Sequence, residues 1–269
     1  MATFIATDPA GYEQYVGRLS RRLARVFVEH VSIRKGARVL DVGCGTGNLA
    51  IALGEVAASV IGVDLSAPYV EFARAKAARD NVKFDVGDAL NLPYTDGAFD
   101  HALSMLALDV LPDPARGLAE MGRVTRPGGT VAVVVNDFRC GWTPFSMLWD
   151  TAAVLDSAAS AVRDEMVSKP LGWPDGLATL FRASGLADVQ ASHVGTLFEY
   201  ASFDDYWDTF LTGQGKTGAY VSSLEQGPRR ELERHVRAAY LCGMSDGPRA
   251  FTTSFWLARG SVPEATAGH

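Results

Sequence analysis

The chain has 269 residues, of which 48% are hydrophobic and 21% charged, and its formal net charge is -6. That length suits one large α/β domain, or one domain with a sizeable insertion, and the composition excludes wholesale disorder. The acidic balance argues against a nucleic-acid polymer as partner, because gripping a phosphate backbone calls for a basic surplus.

Three cysteines, Cys44, Cys140 and Cys242, stand far apart without a C-x-x-C spacing. Neither a disulfide framework nor a zinc site is expected from them, and no other metal site is indicated. Met1 to Pro9 lacks a basic patch followed by an apolar run, and the strand-like run Val131 to Val135 is far too short to span a bilayer. The expectation is a soluble, cytoplasmic protein with no membrane span.

Residues 18–31 read RLSRRLARVFVEHV. Leu19, Leu23, Val26, Phe27 and Val31 share one helical face, with the arginines mostly on the other, and Gly36 suits the end of that helix. Ala37 to Val42 is a short apolar run containing Asp41, followed by the glycine loop Gly43-Cys44-Gly45-Thr46-Gly47 and a helical pattern through Leu49, Leu53 and Val56. Ser59 to Val63 reads as a second strand closed by Asp64. Ser66 is a helix N-cap with Pro68 in the first turn. Val82 to Val86 is a third strand and Phe99 to Met105 a fourth. Asp113-Pro114 opens a helix through Val124, and Pro127-Gly128-Gly129 turns into a strand at Thr130 to Val135. Strands alternating with helices indicate a parallel sheet covered on both faces.

Beyond Asn136 the texture changes. Residues 138–173 carry Phe138, Trp142, Phe145, Trp149 and Trp173. Leu177 to Ala183 is a helix ending at Gly185, and Val189 to Tyr200 and Phe251 to Arg259 are two more strands. Between those strands lies a largely helical insert, about 201–250, with Tyr206, Trp207, Phe210 and Tyr220. Residues 261–269 read as a frayed tail.

The glycine loop permits a sharp turn and close approach of a ligand, and the helix after it offers free N–H groups to an anion. Its spacing is G-x-G-x-G rather than the dinucleotide G-x-G-x-x-G. Asp41 beside it would repel a pyrophosphate but suits a ligand bearing an ammonium group. Asp64 lies 21 residues after Gly43, where a carboxylate can accept from both hydroxyls of a ribose. Asp88, after the third strand, could accept from an adenine amino group while Ala89 presents its backbone N–H. Each aspartate alone could equally be a loop or capping carboxylate. Together, three at the ends of successive strands converge on the crevice where such sheets bind ligands.

With LDVGCGTG at 40–47, VIGVDLS at 60–66, GDALNLPYTDGAFD at 87–100 and EMGRVTRPGG at 120–129, the chain resembles the class I S-adenosylmethionine-dependent methyltransferases. Within them it is most similar to the small-molecule branch that includes the ubiquinone and menaquinone C-methyltransferases. The resemblance is specific over about 36–136. It implies a Rossmann-like, doubly wound seven-stranded α/β sheet, mostly parallel with a reversed last strand, plus a helical lid or insert. It also implies S-adenosyl-L-methionine as cofactor and S-adenosyl-L-homocysteine as product. By resemblance, Asp41, Gly43, Cys44, Gly45 and Thr46 hold the methionine moiety, Asp64 the ribose, and Asp88 with Ala89 the adenine, while Ser104 and Met105 line the methionine end and Leu65, next to Asp64, is a further cofactor-binding residue. The segment YEQYVGRLS, Tyr12 to Ser20, resembles one that closes over the cofactor, which adds Tyr15 and Ser20. The resulting division is a helical cap at 1–35, a cofactor-binding core at 36–136, the rest of the sheet with acceptor-side inserts at 137–260, and the tail.

Methyl transfer from a sulfonium is an in-line displacement, so alignment can supply most of the catalysis, and a general base helps only some acceptors. Asp109 is the candidate base, at a position where relatives often carry a histidine. His101 and His193 fall in strands and read as structural, and His30 and His235 lie on amphipathic helices. The fourth strand runs into Ser104-Met105-Leu106-Ala107, not the Asn/Asp-Pro-Pro-Tyr/Phe box of enzymes that methylate exocyclic base amines. No Pro-Cys pair supports cytosine chemistry, and Cys44 reads as a small loop residue. Trp142, Trp149, Tyr206, Trp207 and Phe210 are the candidate walls of an apolar acceptor pocket, with Phe145, Met147, Phe198 and Tyr200 as further candidates. A small-molecule methyltransferase is the leading reading. A non-enzymatic cofactor-binding module and a nicotinamide-dependent oxidoreductase are the alternatives; the sequence leaves the oligomeric state open.

Overall fold

The computed structural model describes residues 8–264. A nearly continuous N-terminal helix begins at α1 (Pro9–Tyr12), passes through a π-helical turn at Glu13–Gly17 and continues as α2 (Arg18–Val31). The Asp8 carboxylate caps its start by accepting from the backbone N–H groups of Ala10 and Gly11. The helix stops at Ser32, which takes the left-handed conformation with φ 56°. Gly36 is therefore not the helix terminator; it forms the turn into the first strand.

From there strands and helices alternate: β1 (Arg38–Val42), α3 (Asn48–Leu53), β2 (Ser59–Asp64), α4 (Ala67–Lys76), β3 (Val82–Val86), β4 (Phe99–Met105), α5 (Pro114–Val124) and β5 (Thr125–Asn136). The second half brings α6 (Thr143–Leu155), α7 (Ser157–Val167), α8 (Gly176–Ala183) and β6 (Ala187–Tyr200). Then come α9 (Phe203–Leu211), α10 (Gly215–Ser223), α11 (Gln226–Leu241) and β7 (Arg249–Ser261). The strand order is β3-β2-β1-β4-β5-β7-β6. All neighbours run parallel except β7, which lies antiparallel to both β5 and β6. This is the Rossmann-like seven-stranded sheet with a reversed last strand.

Burial follows the period-2 rule of strands. Along β5, Ala132 and Val134 face a core shared with α2, α3 and α4, while Val131, Val133 and Val135 face one shared with α5 and α8. A run of five fully buried residues is what a central strand covered on both faces requires. Because the helices change face between β1 and β4, the C-terminal ends of these two strands part into a crevice, the usual ligand position of such sheets.

Two boundaries differ from expectation. Strand β5 starts at Thr125 rather than Thr130: Thr125 pairs with Phe99, the register then shifts, and Gly128, with φ 70°, forms a bulge inside the strand. At the other end β7 reaches Ser261, and Val262 exchanges hydrogen bonds of 2.9 Å with Gly128 and Gly129. The expected tail therefore begins inside the sheet; residues 265–269 lie outside the described part.

The Asp113 carboxylate accepts from the Arg116 N–H at 2.9 Å, the N-cap expected from Asp113-Pro114. Asp113→Ala should lower the unfolding free energy by about 1 kcal/mol, read by chemical denaturation.

Candidate cofactor and acceptor site

The glycine loop leaves β1 and wraps the end of β2. Gly43 and Gly47 take φ values of 73° and 82°, and a Cβ on Gly43 would lie 2.3 Å from the Cβ of Ala107. No larger residue fits that approach. The N–H groups of Gly43 and Cys44 both donate to the Val63 carbonyl. Gly45 N–H donates to one oxygen of Asp64 and Ser66 N–H to the other, each at 2.9 Å. Asp64 thus fixes the loop, and its two oxygens retain lone pairs for a ligand hydroxyl pair.

Asp41 is only 1% exposed, and neither of its carboxylate oxygens has a hydrogen-bond partner among the described residues. Burial raises its pKa to about 8; the nearby backbone N–H of Ala50 offsets part of that rise and the Asp64 charge adds to it. A buried carboxylate without a partner is costly, and a cation beside it removes the cost. Asp41 lines a small cavity together with Ser20, Gly43, Cys44, Thr46 and Met105, so most of the residues expected at the methionine end do come together. Ser104, 1% exposed, sits just behind Met105. Burial pushes the Cys44 thiol up, which keeps it neutral and unreactive.

Around the rim, Leu65 is 69% exposed beside Asp64, an apolar surface available to a planar ring. Asp88 is exposed and accepts from the Leu90 N–H at 2.9 Å, and Ala89 follows it at the end of β3.

The sequence reading missed the residue that closes this site. One oxygen of Glu13 accepts from the Thr46 hydroxyl, from Asn48 Nδ2 at 3.2 Å and from Lys76 Nζ at 3.1 Å; the other accepts from Arg21. Burial opposes its ionisation, yet Thr46, Lys76 and Arg21 together hold its pKa below the ordinary value. Asn48 also donates to the Ser20 hydroxyl at 2.7 Å. The N-terminal helix is thereby bound across the loop, and Ser20 takes part through Asn48. The π-helical turn at Glu13–Gly17 carries both Glu13 and Tyr15 to this position; such turns are concentrated at functional sites.

Tyr12 also lines a second, larger chamber of about 150 Å³. Tyr15, Leu106, Phe138, Trp142 and Met166 supply its apolar wall, and Asn136, Lys169, Lys216 and Thr217 its polar groups. Leu106 holds a left-handed φ of 59° directly after β4. Of the five aromatics expected as acceptor walls, only Trp142 lies on this chamber. Trp149 is 2% exposed, donates from its indole nitrogen to Thr217 Oγ1 at 3.1 Å, and borders a separate cleft. Tyr206, Trp207 and Phe210 are buried and border neither the chamber nor the cavity around Asp41. They pack with Phe203 and Tyr240, and the Tyr206 hydroxyl donates to the Pro144 carbonyl at 2.7 Å. Their helical spacing expresses core packing, a signal that sequence cannot separate from a pocket wall.

Asp109 is also displaced from its expected place. It is 7% exposed on the turn Leu108–Val110 and borders an outer trough of about 210 Å³, not the chamber. Burial raises its pKa, and one oxygen accepts from Asn136 Nδ2 at 3.0 Å. Its route to the chamber runs through Asn136, whose Oδ1 has no partner among the described residues. His193 pairs with Asp137 at 3.1 Å and stacks on Trp256, consistent with a structural part. No helix among the described residues is long and apolar enough to cross a membrane.

Residues 40–133 match the family model of a methyltransferase domain. The chain is 34% identical over 182 residues to the demethylmenaquinone methyltransferase of Beutenbergia cavernae, covering 64% of this chain and 74% of that protein. It is 34% identical over 131 residues to methyltransferase GfsG of Streptomyces halstedii, spanning about half of that relative, 47% of each chain. The YcgJ protein of Bacillus subtilis has the same fold, with a TM-score of 0.59 at 20% identity over 92% of this chain and 100% of that one. The chain belongs to the class I S-adenosylmethionine-dependent methyltransferases, in the neighbourhood of the quinone-modifying group. Its enzyme class is methyltransferase and its cofactor S-adenosylmethionine, and the unpaired Asp41 is a fitting partner for that cofactor's ammonium group.

If Phe210 is scaffold rather than pocket, Phe210→Ala should cost about 3–5 kcal/mol of stability. Calorimetry on the folded fraction should find its affinity for S-adenosylhomocysteine unchanged.

Proposed function

We propose that the protein transfers a methyl group from S-adenosylmethionine to a small, apolar or aromatic metabolite held in the chamber beside Tyr12 and Trp142. The observation that carries this reading is the adjacency of two cavities sharing Tyr12: one around the unpaired Asp41, the other walled by apolar side chains. The name of the Beutenbergia relative, a demethylmenaquinone methyltransferase, points to the same acceptor class.

The cofactor supplies an already activated methyl group. The chain's part is to align donor and acceptor and to keep water out. Asp41 holds the ammonium. Asp64 accepts from the ribose hydroxyls while its other contacts keep the loop in place. Leu65, Asp88 and Ala89 receive the adenine. Gly43 to Thr46, Ser104 and Met105 enclose the methionine end. Tyr12, Tyr15 and Ser20 belong to the helical cap that Glu13 fastens over the loop. Trp142 lines the acceptor side. Asp109 acts as a positioning residue, fixing the Asn136 amide so that its oxygen is free to accept from the substrate. Residues 36–136 serve as the cofactor-binding core, and the cap, the 138–173 segment and residues 215–217 enclose the acceptor.

Two experiments test the cofactor side. Asp64→Ala removes two charge-assisted hydrogen bonds of about 1.5–3 kcal/mol each, so affinity for S-adenosylmethionine should fall at least tenfold in a chain that still folds. An unchanged dissociation constant by calorimetry would overturn the role.

The second concerns pH. Asp41 in the folded chain titrates near 8, above its ordinary value of 3.8. The cost of burying its charge is absent below that ordinary value and complete above about 8, so stability falls as pH rises between them. An ammonium beside the carboxylate lowers the folded value and removes the cost. Binding at neutral pH should therefore release a proton, and stabilisation by S-adenosylhomocysteine should grow as pH rises towards about 8. Thermal shift across pH would show the slope, and Asp41→Asn should flatten it.

A further inference from the structure

Two lysines stand where the inner chamber meets the outer trough. Lys169 and Lys216 line both spaces and are the sole formally charged side chains on the chamber, among the described residues. Their positions differ in one respect. Lys216 Nζ is paired with Glu165 at 2.6 Å, and that carboxylate is 63% exposed. Lys169 has no carboxylate within ion-pair distance among the described residues, although its charge reaches the carboxyl groups of Glu165 and Asp109 and favours their ionised forms. Its ammonium donates to the Asp109 backbone carbonyl at 3.1 Å and lies 5.6 Å from the centre of the Phe138 ring.

A carbonyl and a ring face satisfy an ammonium in part, leaving donor capacity and a full charge at a half-buried position. The surrounding wall is apolar: Leu106, Val110, Phe138, Trp142 and Met166. Low local polarity strengthens the field of that charge towards anything seated in the chamber. The trough beyond the lysines continues over Leu111, Pro112, Pro114 and Leu171, so a molecule longer than the chamber has an apolar path outwards past the same two cations.

Resting on the methyltransferase reading, we propose that the methyl acceptor is an amphiphile whose apolar or aromatic body fills the chamber and whose anionic group, a carboxylate or a phosphate, binds at the chamber mouth on Lys169. Lys216 becomes the second donor when it releases the exposed Glu165. The ion pair at one end and the apolar wall along the body fix which atom of the acceptor meets the methyl group. Lys169 and Lys216 are thus specificity-determining rather than catalytic residues.

The test uses the full chain saturated with S-adenosylhomocysteine and three probes of one shape: 2-naphthoate, 2-naphthyl phosphate and the neutral 2-naphthamide. Calorimetry should find the better anion bound roughly tenfold or more tighter than the amide, and the tighter of the two anions identifies the preferred headgroup. Added salt should weaken the anions alone. Lys169→Met should bring the anions to the level of the amide and leave the amide unchanged. Glu165→Gln, which frees Lys216, should tighten anion binding several-fold, and it keeps the proposal testable if the Lys169 variant does not fold. Equal binding of all three probes overturns the proposal. So does binding of none, or a Lys169→Met variant that weakens the amide as much as the anions, since the lysine would then be a clamp on the Asp109 turn. A chain that fails to bind S-adenosylhomocysteine at all overturns the methyltransferase reading instead.

Discussion

A carboxylate buried at the end of the first strand, with no hydrogen-bond partner for either oxygen among the described residues, is the constraint around which this site is arranged. Asp41 is placed there by the pleat: with Val39 it points to the face covered by the N-terminal helix, whereas Leu40 and Val42 serve the opposite core. The glycine loop that follows must turn sharply enough to leave room beside that carboxylate, which explains why Gly43 approaches Ala107 so closely. The loop is then held by a second carboxylate, Asp64, through backbone N–H groups at both of its oxygens. One acid is tied and organises the loop; the other has no hydrogen-bond partner among the described residues, as the cation site proposed for it requires. Proximity of the two raises the cost of ionising both, so a cationic ligand gains from each.

Enclosure of that pair comes from a third acid that behaves oppositely. Glu13 is surrounded by donors, Thr46, Asn48, Lys76 and Arg21, and stays ionised despite burial. It binds three elements to the N-terminal helix: the loop, α3 and α4. That polar contact is laid over an apolar one, since Tyr15, Val16, Leu19, Leu23 and Phe27 of the same helix are buried in the core. The proposed acceptor end is held in another way. There the walls are aromatic, and α6 is pinned from two sides, by Trp149 to Thr217 in α10 and by Tyr206 in α9 to Pro144. Both sides are thus held by packed elements, which suits a reaction in which alignment does most of the work.

Much of this was legible in the chain because it is written locally. Strands β3 and β4 and helix α5 have the limits that their apolar runs and caps suggest. The loop spacing and three strand-end aspartates locate the crevice. Ser32 shows where local signals fail: it ends α2 in a left-handed conformation, although Gly36, four residues later, is the residue type that adopts it at least cost. The aromatics of α9 show another limit, since burial in a core and burial against a ligand produce the same helical spacing. Asn136, Lys169 and Lys216 carried no signal at all, and Glu13 none beyond its place in the segment Tyr12 to Ser20. Each is an ordinary polar residue whose role depends on partners in other elements: Glu13 lies 63 positions from Lys76 and Asp109 lies 60 from Lys169. Only the closed sheet brings them together.

The placement of β7 between β5 and β6 has a consequence for the order in which the molecule can assemble. β5 and β6 share no ladder; each is joined to the sheet's far edge only through β7, along pairings that run from Asn136 with Phe255 and from Tyr200 with Arg249. On a ribosome β6 is made before its partner exists, and three helices are made in between. Until residues 249–261 emerge, the outer edge of β5 and both edges of β6 remain unpaired, and unpaired edges attract other chains. The arginines of α2 meet part of this hazard: Arg22 and Arg18 donate to the outward carbonyls of Leu197 and Glu199. In the folded chain the N-terminal helix thus covers part of the one edge of β6 that β7 leaves open.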